Sequence, residues 1–270
     1  MTDTPKPAEA PIVPAATVLL LRDRPDGLEV FMVVRHHQID FASGALVFPG
    51  GKADPQDFEP ALRALADNGN SDDKLFAAEV SALRETFEEC GILLARDVAT
   101  DKTIDGVRLA SLQKFRQPIV DHEMDFAELL EKEGLRLQCG DLGHFAHWIT
   151  PAMMPKRFDT HFYAASAPED HLALHDGHES VDSVWIKPAT ALQEAAEGKR
   201  TIIFPTLRNI EKLARHATVA QALEACKTEK PVPVLPWIED RDGDNYLCIC
   251  LLYTSPSPRD QRGSRMPSSA

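Results

Sequence analysis

The sequence contains no run of apolar residues that approaches the roughly 20 needed to cross a bilayer, which argues against a transmembrane helix. Its first residues are rich in proline, alanine and acidic side chains. They lack the basic start and the apolar stretch of a secretory signal. We therefore expect a disordered leader over residues 1–13 and a cytoplasmic protein that does not associate with membranes.

Basic residues are also fewer than acidic ones. The chain has 29 Lys and Arg against 42 Asp and Glu, which gives a formal net charge of −13. Such an excess argues against binding to nucleic acid or to an anionic membrane through bulk electrostatics. A protein of this charge that acts on a polyanion needs a metal ion rather than a basic surface.

Cysteine is scarce, with five residues in a chain of 270. Their spacing matches neither a disulfide framework nor a zinc site, and Cys248 and Cys250 stand too close together for either. Reduced thiols in a cytosolic protein are the simplest interpretation.

The stretch from Cys250 onward lacks hydrophobic periodicity and is rich in Ser, Pro and Arg, as disordered segments often are. Residues 250–260 and 264–270 resemble in-frame translations of two sequencing-adapter DNAs. We interpret residues 250–270 as a non-native tail, with a natural flexible tail as the alternative. On the first interpretation the native sequence breaks off near Ile249.

With 43% hydrophobic residues the chain can bury a full core, and residues 14–249 are expected to form one α/β domain. Short β-rich runs alternate with segments of helical periodicity and with turns rich in Gly, Asn and Pro. This mixture predicts a mixed β-sheet sandwiched between α-helices. Strands are expected at Ala15–Leu21, Leu28–Arg35, Ala45–Phe48, Phe145–Thr150, Arg157–Ala165 and Ser183–Ile186, and helices at Glu59–Ala66, Asp72–Cys90, Asp125–Glu133, Ala189–Glu197 and Thr206–Lys227.

The most informative segment places Glu85, Glu88 and Glu89 within one arc of about 100° on a helix. Carboxylates at these spacings repel one another by a few tenths of a kcal/mol per pair even when exposed. A hard cation such as Mg²⁺ or Mn²⁺ removes that repulsion, because it prefers oxygen ligands. A solvated acidic helix face is the alternative. Apolar side chains for the core occupy the opposite face: Val80, Leu83, Phe87 and Cys90.

A Gly-Gly turn upstream extends this pattern. Gly51, followed later by the run Arg84-Glu-Thr-Phe-Glu-Glu-Cys-Gly-Ile, resembles the signature of the Nudix hydrolases, with Thr86 in place of an apolar residue. Asp57 stands six positions after Gly51, where the family has Glu. Twenty-six residues separate Asp57 from Arg84 where the family pattern has seven, so we expect an insertion of 19 residues at about 58–76.

The resemblance implies a Nudix fold and a diphosphatase that depends on Mg²⁺ or Mn²⁺. It implies Glu85 and Glu89 as the first metal ligands, Glu88 as the next, and the Gly51 carbonyl as a further oxygen. Arg84 cannot bind a cation, and its expected role is to orient a carboxylate through a bidentate contact. The implied catalytic residues are Arg84, Glu85 and Glu88.

The base that activates water stays open. Nudix enzymes take it either from the helix or from a distant loop, and Asp121, Glu123 and Glu179 are candidates from elsewhere in the chain. No histidine is assigned a ligand role. We expect a solvated loop to carry His171, His175 and His178. We expect His144 and His147 in a strand region.

Two further stretches narrow the resemblance. Residues 41–51 and 148–160 resemble the Nudix 19-type group, which comprises peroxisomal coenzyme A diphosphatases and their bacterial relatives. This implies cleavage of coenzyme A or acyl-coenzyme A at its diphosphate, to adenosine 3′,5′-bisphosphate and (acyl-)phosphopantetheine. Lys156 and Arg157 are the candidate contacts to the substrate's 3′-phosphate, with solvated cations as the alternative.

Two alternatives of other kinds remain. His36 and Ala42 depart from the coenzyme A motif of other family members, which leaves open ADP-ribose, a dinucleotide or another nucleoside diphosphate derivative as the small-molecule substrate. A non-catalytic ligand sensor that keeps the fold is the second alternative. The sequence leaves the oligomeric state open.

Overall fold

A computed structural model describes residues 10–35, 44–168, 180–241, 244–249 and 264–265 of the chain. The strands are β1 (Ile12–Arg24), β2 (Gly27–Arg35), β3 (Leu46–Val47), β4 (Gly50–Lys52), β5 (Ala95–Asp97), β6 (Leu135–Leu137), β7 (Gly143–Ile149), β8 (Arg157–Ser166), β9 (Ser180–Ile186), β10 (Pro233–Val234), β11 (Trp237–Arg241), β12 (Asp244–Cys248) and β13 (Ser264–Arg265). The α-helices are α1 (Asp73–Cys90), α2 (Gly106–Leu112), α3 (Arg116–Val120), α4 (Phe126–Glu133), α5 (Pro188–Ala196), α6 (Phe204–Leu213) and α7 (Val219–Thr228).

The main sheet is mixed, with strand order β10-β7-β8-β1-β2-β3 and with β9 paired to β2. Strand β1 lies at its centre, parallel to β8 and antiparallel to β2. Its run of apolar residues is buried on both faces, since Val18 and Leu20 enter one core cluster while Leu19 and Leu21 enter the other. A strand buried on both sides requires such a continuous apolar run.

Helices cover both faces of this sheet. On one face α1 packs with α2, α3 and α4, and on the other α5, α6 and α7 supply residues such as Ala191, Ile210 and Ala222. The predicted α/β sandwich of a mixed sheet between helices is therefore confirmed. Among the helices that the structure describes, none combines the length and apolarity that crossing a bilayer requires.

Helix α1 begins and ends where its own sequence dictates. The Asp72 carboxylate accepts hydrogen bonds of 3.0 Å from the amides of Lys74 and Leu75, which satisfies donors that the first turn leaves unpaired. Gly91 ends the helix in the left-handed conformation at φ 67°, where a side chain would be strained. Full burial of Phe87 on its inner face contributes about 1.5–3 kcal/mol.

Strand β4 places the Gly-Gly turn directly against β1. Gly50, Gly51 and Lys52 pair with Thr17, Ala16 and Ala15. Gly50 adopts φ +150°, and a Cβ at this position would lie 2.3 Å from the Ala16 carbonyl oxygen. Only glycine therefore fits at residue 50.

Two of the expected helices need correction. The single helix expected over Thr206–Lys227 is wrong, since α6 ends at Leu213 and α7 begins at Val219. The Thr218 hydroxyl accepts a 3.2 Å hydrogen bond from the Gln221 amide and so starts a new helix. The helix expected at Glu59–Ala66 is a 3-10 turn over Pro60–Leu65. Elements α2, α3, β5, β6 and β10 to β12 were not predicted.

The expected chain boundaries also differ in part from the structure. Strand β1 begins at Ile12, inside the expected leader, because Ile12 and Val13 pair with Arg157 and Phe158 of β8. Within the expected non-native tail, β13 pairs with β12. The other residues of that tail lie outside the described part of the chain.

Helix α1 also carries a buried acid, Glu79, that is 7% exposed. Burial raises its pKa to about 7, although the Asn70 amide donates to it at 2.8 Å and the charge of Arg63 opposes the shift. A carboxyl group whose pKa is higher in the folded state binds its proton more tightly there. Its contribution to stability is complete below the unfolded-state pKa of about 4.5 and is lost as pH rises through about 7.

We expect Glu79→Gln to remove this pH dependence, because glutamine stays neutral and keeps an oxygen for the Asn70 amide. At pH 8 the variant should exceed the wild type in free energy of unfolding by on the order of 2 kcal/mol, and at pH 4.5 the two should agree. Urea denaturation at both pH values measures this, with the exposed Glu131→Gln as control. A variant that is less stable than the wild type at pH 8 would contradict the expectation.

Candidate active site

The centre of the site is a buried ion pair between Arg84 on α1 and Asp57 in the 3-10 turn at Pro55–Phe58. Arg84 donates from Nε to Asp57 Oδ1 and from Nη2 to Asp57 Oδ2, both at 2.9 Å. Asp57 is fully buried and Arg84 is 3% exposed. The parallel geometry is the bidentate fork that a guanidinium makes with a carboxylate.

The local chain presents Asp57 for this contact. The Asp54 side chain accepts from the Gln56 amide at 3.0 Å, while the Asp54 amide donates to Asp57 Oδ2 at 2.8 Å. These reciprocal bonds form a capping box, in which an acid three residues into the turn bonds back to the capping residue. The Asp57 carboxylate is therefore held in place by its own turn as well as by Arg84.

The rest of the Arg84 guanidinium binds two of the predicted site carboxylates and the end of β4. Its Nη1 donates to Glu85 Oε1 at 3.1 Å and to Glu88 Oε1 at 2.9 Å. Its Nη2 also donates to the Lys52 carbonyl at 3.1 Å. One cation thus connects α1, β4 and the 3-10 turn at Pro55–Phe58, which leads into the expected insertion.

The third carboxylate is held by the glycine turn. Glu89 Oε2 accepts a 2.8 Å hydrogen bond from the Gly50 amide. Beside it, a Cβ on Gly51 would lie 2.4 Å from Glu85 Oε2, so the absent side chain makes room for that carboxylate. The fold therefore brings Gly51, Glu85, Glu88 and Glu89 together at one end of α1, and their role as metal ligands stays a prediction.

Electrostatics at this end of α1 are unfavourable for three ionised carboxylates. Burial raises the pKa of Glu85 to about 8, and the neighbouring Glu88 adds to the shift while Arg84 opposes it. Burial also raises the pKa of Glu88, again against the charge of Arg84. Burial alone would lower the pKa of Arg84, but its hydrogen bond to Asp57 and the nearby carboxylates raise it above its ordinary value.

These residues fit a hard divalent cation in their chemistry, because every side chain offered is an oxygen donor and two of them carry raised pKa values. In this geometry the glutamates do not yet share one coordination sphere. Glu85 and Glu88 accept hydrogen bonds from Arg84, while Glu89 accepts one from the Gly50 amide. Among the described residues, the three glutamates do not form a group whose ligand atoms all lie within 4.8 Å of one another.

Comparison with known proteins identifies the family of this chain. The model of the NUDT19 Nudix domain matches residues 65–213, more than half of the chain of 270 residues. The chain belongs to the NUDT19 Nudix domain family. The matched segment includes α1 with all three glutamates and begins after Gly51 and Asp57.

Individual relatives agree with this assignment. The acyl-coenzyme A diphosphatase NUDT19 of Xenopus laevis is 24% identical over 260 residues, which cover 78% of this chain and 68% of that protein. The putative nudix hydrolase 7 of Caenorhabditis elegans is 27% identical, over 82% of this chain and 67% of that protein. The crystal structure of a NUDIX hydrolase from Alicyclobacillus acidocaldarius superposes with a TM-score of 0.68 at 28% identity, over 80% of this chain and 97% of that one. The predictions of a Nudix fold and of a Nudix-type diphosphatase are thereby confirmed.

In this Nudix domain the candidates for the base lie in different places. Asp121 and Glu123 are exposed and follow α3, on either side of His122. The Nδ1 atom of His122 lies 3.8 Å from Asp54 Oδ2, and the His122 charge acts on Glu88. This loop therefore borders the carboxylate cluster. The remaining candidate, Glu179, lies outside the described residues.

The two predicted substrate contacts lie at the start of β8. Lys156 is exposed, whereas Arg157 is 7% exposed and donates from Nε to the Thr150 carbonyl at 3.2 Å and from Nη1 to the Ala10 carbonyl at 3.4 Å. Arg157 thus ties the first residue of β8 to the backbone at Thr150 and Ala10. The role of either residue in binding substrate stays a prediction.

The histidines expected in a strand region do lie on a strand. His144 and His147 belong to β7, and both contact His161 of the neighbouring strand β8. His147 also contacts Asp159. The expected solvated group of His171, His175 and His178 lies outside the described residues.

The Asp57–Arg84 pair generates a prediction about stability. Asp57→Asn removes the charge that neutralises a buried guanidinium and should lower the free energy of unfolding by about 3 kcal/mol. Urea denaturation of metal-free protein measures this, with the exposed Asp121→Asn as matched control.

A double-mutant cycle with Arg84→Met tests the cause of that loss. The double variant should lose clearly less than the sum of the two single losses, because each single change leaves one charge buried without its partner. Additive losses would show that Asp57 and Arg84 stabilise the fold independently.

Proposed function

We propose that this protein is a metal-dependent diphosphatase that cleaves coenzyme A or acyl-coenzyme A. The products would be adenosine 3′,5′-bisphosphate and (acyl-)phosphopantetheine. The observation that carries the hydrolase chemistry is the grouping of Arg84 with three glutamates, Glu89 buried and Glu85 and Glu88 partly buried, against the Gly50–Gly51 turn. The substrate is supported by the relatives from Xenopus laevis and Gallus gallus, both named as acyl-coenzyme A diphosphatases.

Hydrolysis of a diphosphate needs positioning and neutralisation more than covalent chemistry. Water attacks one phosphorus, the bond from that phosphorus to the bridging oxygen breaks, and the other phosphate leaves with that oxygen. Mg²⁺ or Mn²⁺, when bound, supplies positive charge and lowers the pKa of a coordinated water. Glu85, Glu88, Glu89 and the Gly51 carbonyl would hold the metal in this protein.

Arg84 has a positioning role in this proposal. Its guanidinium is fixed by Asp57 and the Lys52 carbonyl, and its remaining nitrogen holds Glu85 and Glu88 at defined places. A fixed scaffold for the carboxylates lowers the reorganisation needed when charge develops on the phosphate oxygens. The base that activates water comes from α1 or from elsewhere in the chain, and the candidates from elsewhere are Asp121, Glu123 and Glu179.

Hydrolysis of ADP-ribose or of a dinucleotide is the second candidate function. It is favoured by His36 and Ala42, which depart from the coenzyme A motif of other Nudix proteins. A ligand sensor without activity is disfavoured, because it would have no use for three carboxylates held together at a cost in electrostatic energy.

The metal-dependent part of the proposal predicts the effect of Glu89→Gln. Glutamine keeps an oxygen for the Gly50 amide but removes the charge, so kcat should fall about a hundredfold or more while the melting temperature changes little. Activity should also disappear in excess chelator. The assay measures diphosphate cleavage with Mg²⁺ and with Mn²⁺, and Glu131→Gln is the control. Full activity of the variant would refute the carboxylate site.

If coenzyme A is the substrate, kcat/KM should be lower for dephospho-coenzyme A, which lacks the 3′-phosphate. One charged contact to that phosphate contributes about 1.5–3 kcal/mol, or on the order of ten- to a hundredfold in kcat/KM. Lys156→Ala should reduce the difference in kcat/KM between coenzyme A and dephospho-coenzyme A. This variant is a cleaner test than a change of Arg157, because Lys156 is exposed whereas Arg157 supports β8. Product masses identify the bond cleaved. Equal rates on the two compounds, or faster cleavage of ADP-ribose, would favour the second function.

A further inference from the structure

A group of imidazole and carboxylate side chains lies on β7 and β8 and is separate from the glutamates of α1. His147, Asp159 and His161 place one ligand atom each within 4.8 Å of the other two. Among the described residues this is the only group of three or more His, Cys, Asp or Glu side chains with that property.

Strand pairing builds this group. His147 of β7 is the register partner of His161 of β8, and the two rings stack with centroids 4.0 Å apart. Asp159 stands two residues before His161, so both side chains project from the same face of the strand. His147 Nε2 contacts Asp159 Oδ1 directly. Three donors on two hydrogen-bonded strands are held more rigidly than donors on a loop.

We propose that His147, Asp159 and His161 form a second metal site, which takes a late first-row divalent ion such as Zn²⁺. Two imidazoles and one carboxylate form a three-ligand set that leaves positions open on a zinc ion. Imidazole nitrogen favours Zn²⁺, Ni²⁺ or Cu²⁺, whereas Mg²⁺ prefers sites made of oxygen alone. The site therefore differs in selectivity from the glutamates of α1.

The surroundings support ligation. His161 Nδ1 lies 3.1 Å from His144 Nε2, a contact that orients the ring and leaves Nε2 of His161 for the metal. The side chain of His147 is 14% exposed and that of Asp159 is 39% exposed, which gives an ion access from solvent.

The donors lie close to the positions that a metal requires. Ligand atoms at about 2.0–2.2 Å from a tetrahedral ion are separated by roughly 3.4 Å. The three atoms now lie within 4.8 Å of one another, and binding an ion would require His147 and Asp159, which are in direct contact, to move apart.

Register also fixes where this site lies relative to the glutamates. His161 pairs with Ala16 of β1, and Ala16 pairs with Gly51 of β4. His161 is therefore two strand spacings, roughly 10 Å, from the glycine that packs against Glu85, on the same face of the sheet. A zinc ion here would add positive charge beside the proposed diphosphatase site.

Zinc binding by the full-length, metal-stripped protein tests the proposal. Calorimetry with Zn²⁺ in saturating Mg²⁺, which competes for the glutamates, should show one site in the wild type. Asp159→Asn and His161→Gln should each weaken that site by about tenfold or more, since even partners behind the ligands contribute about 10- to 100-fold in affinity. Co²⁺ in place of Zn²⁺ should show visible absorption without a thiolate charge-transfer band.

Two controls separate this site from other donors. His216→Gln should bind zinc like the wild type. Glu89→Gln should also bind like the wild type although it is expected to lose hydrolysis, so this inference and the proposed function fail independently. If His161→Gln does not fold, the more exposed Asp159→Asn decides the test. Absence of zinc binding in the wild type, or unchanged affinity in Asp159→Asn, would overturn the inference.

Discussion

The arrangement of the site depends on the buried pair between Arg84 and Asp57. Removing both charges from water is costly, and the bidentate geometry with additional bonds from the Asp54 amide and to the Lys52 carbonyl offsets that cost. The pair connects segments that are remote in sequence. Because Arg84 also holds Glu85 and Glu88, the position of two site carboxylates follows from a contact that itself faces the protein interior.

A second constraint acts between the glycine turn and α1. Strand β4 can approach β1 only because Gly50 lacks a side chain, and Glu85 can lie against β4 only because Gly51 lacks one. The Gly50 amide then binds Glu89. The two glycines and the Gly50 amide thus fix the position of the C-terminal part of α1 relative to β4. The resulting carboxylates are close together and shielded from solvent in whole or in part, so a cation would stabilise their ionised form.

The same face of the sheet carries two donor sets of different chemistry. The glutamates of α1 offer only oxygen, while β7 and β8 offer imidazole with one carboxylate. Oxygen sites favour Mg²⁺ or Mn²⁺, and imidazole sites favour Zn²⁺ and its neighbours. Strand pairing through Ala16 places the two sets on neighbouring parts of the same sheet.

The sequence by itself determined the features that depend on neighbouring residues. Helix α1, its Asp72 cap, its Gly91 end and its acidic face follow from periodicity and capping within about 20 residues. Gly51 and the later run from Arg84 indicated the family in spite of the insertion, since the signature is a matter of residue identity. Tertiary structure alone decided what depends on contacts between distant segments. The bond from Arg84 to Asp57 spans 27 positions, and the meeting of His147 with His161 needs the register of β7 on β8. No local pattern encodes such pairings, because the free energy that selects them comes from burying the whole sheet between its helices.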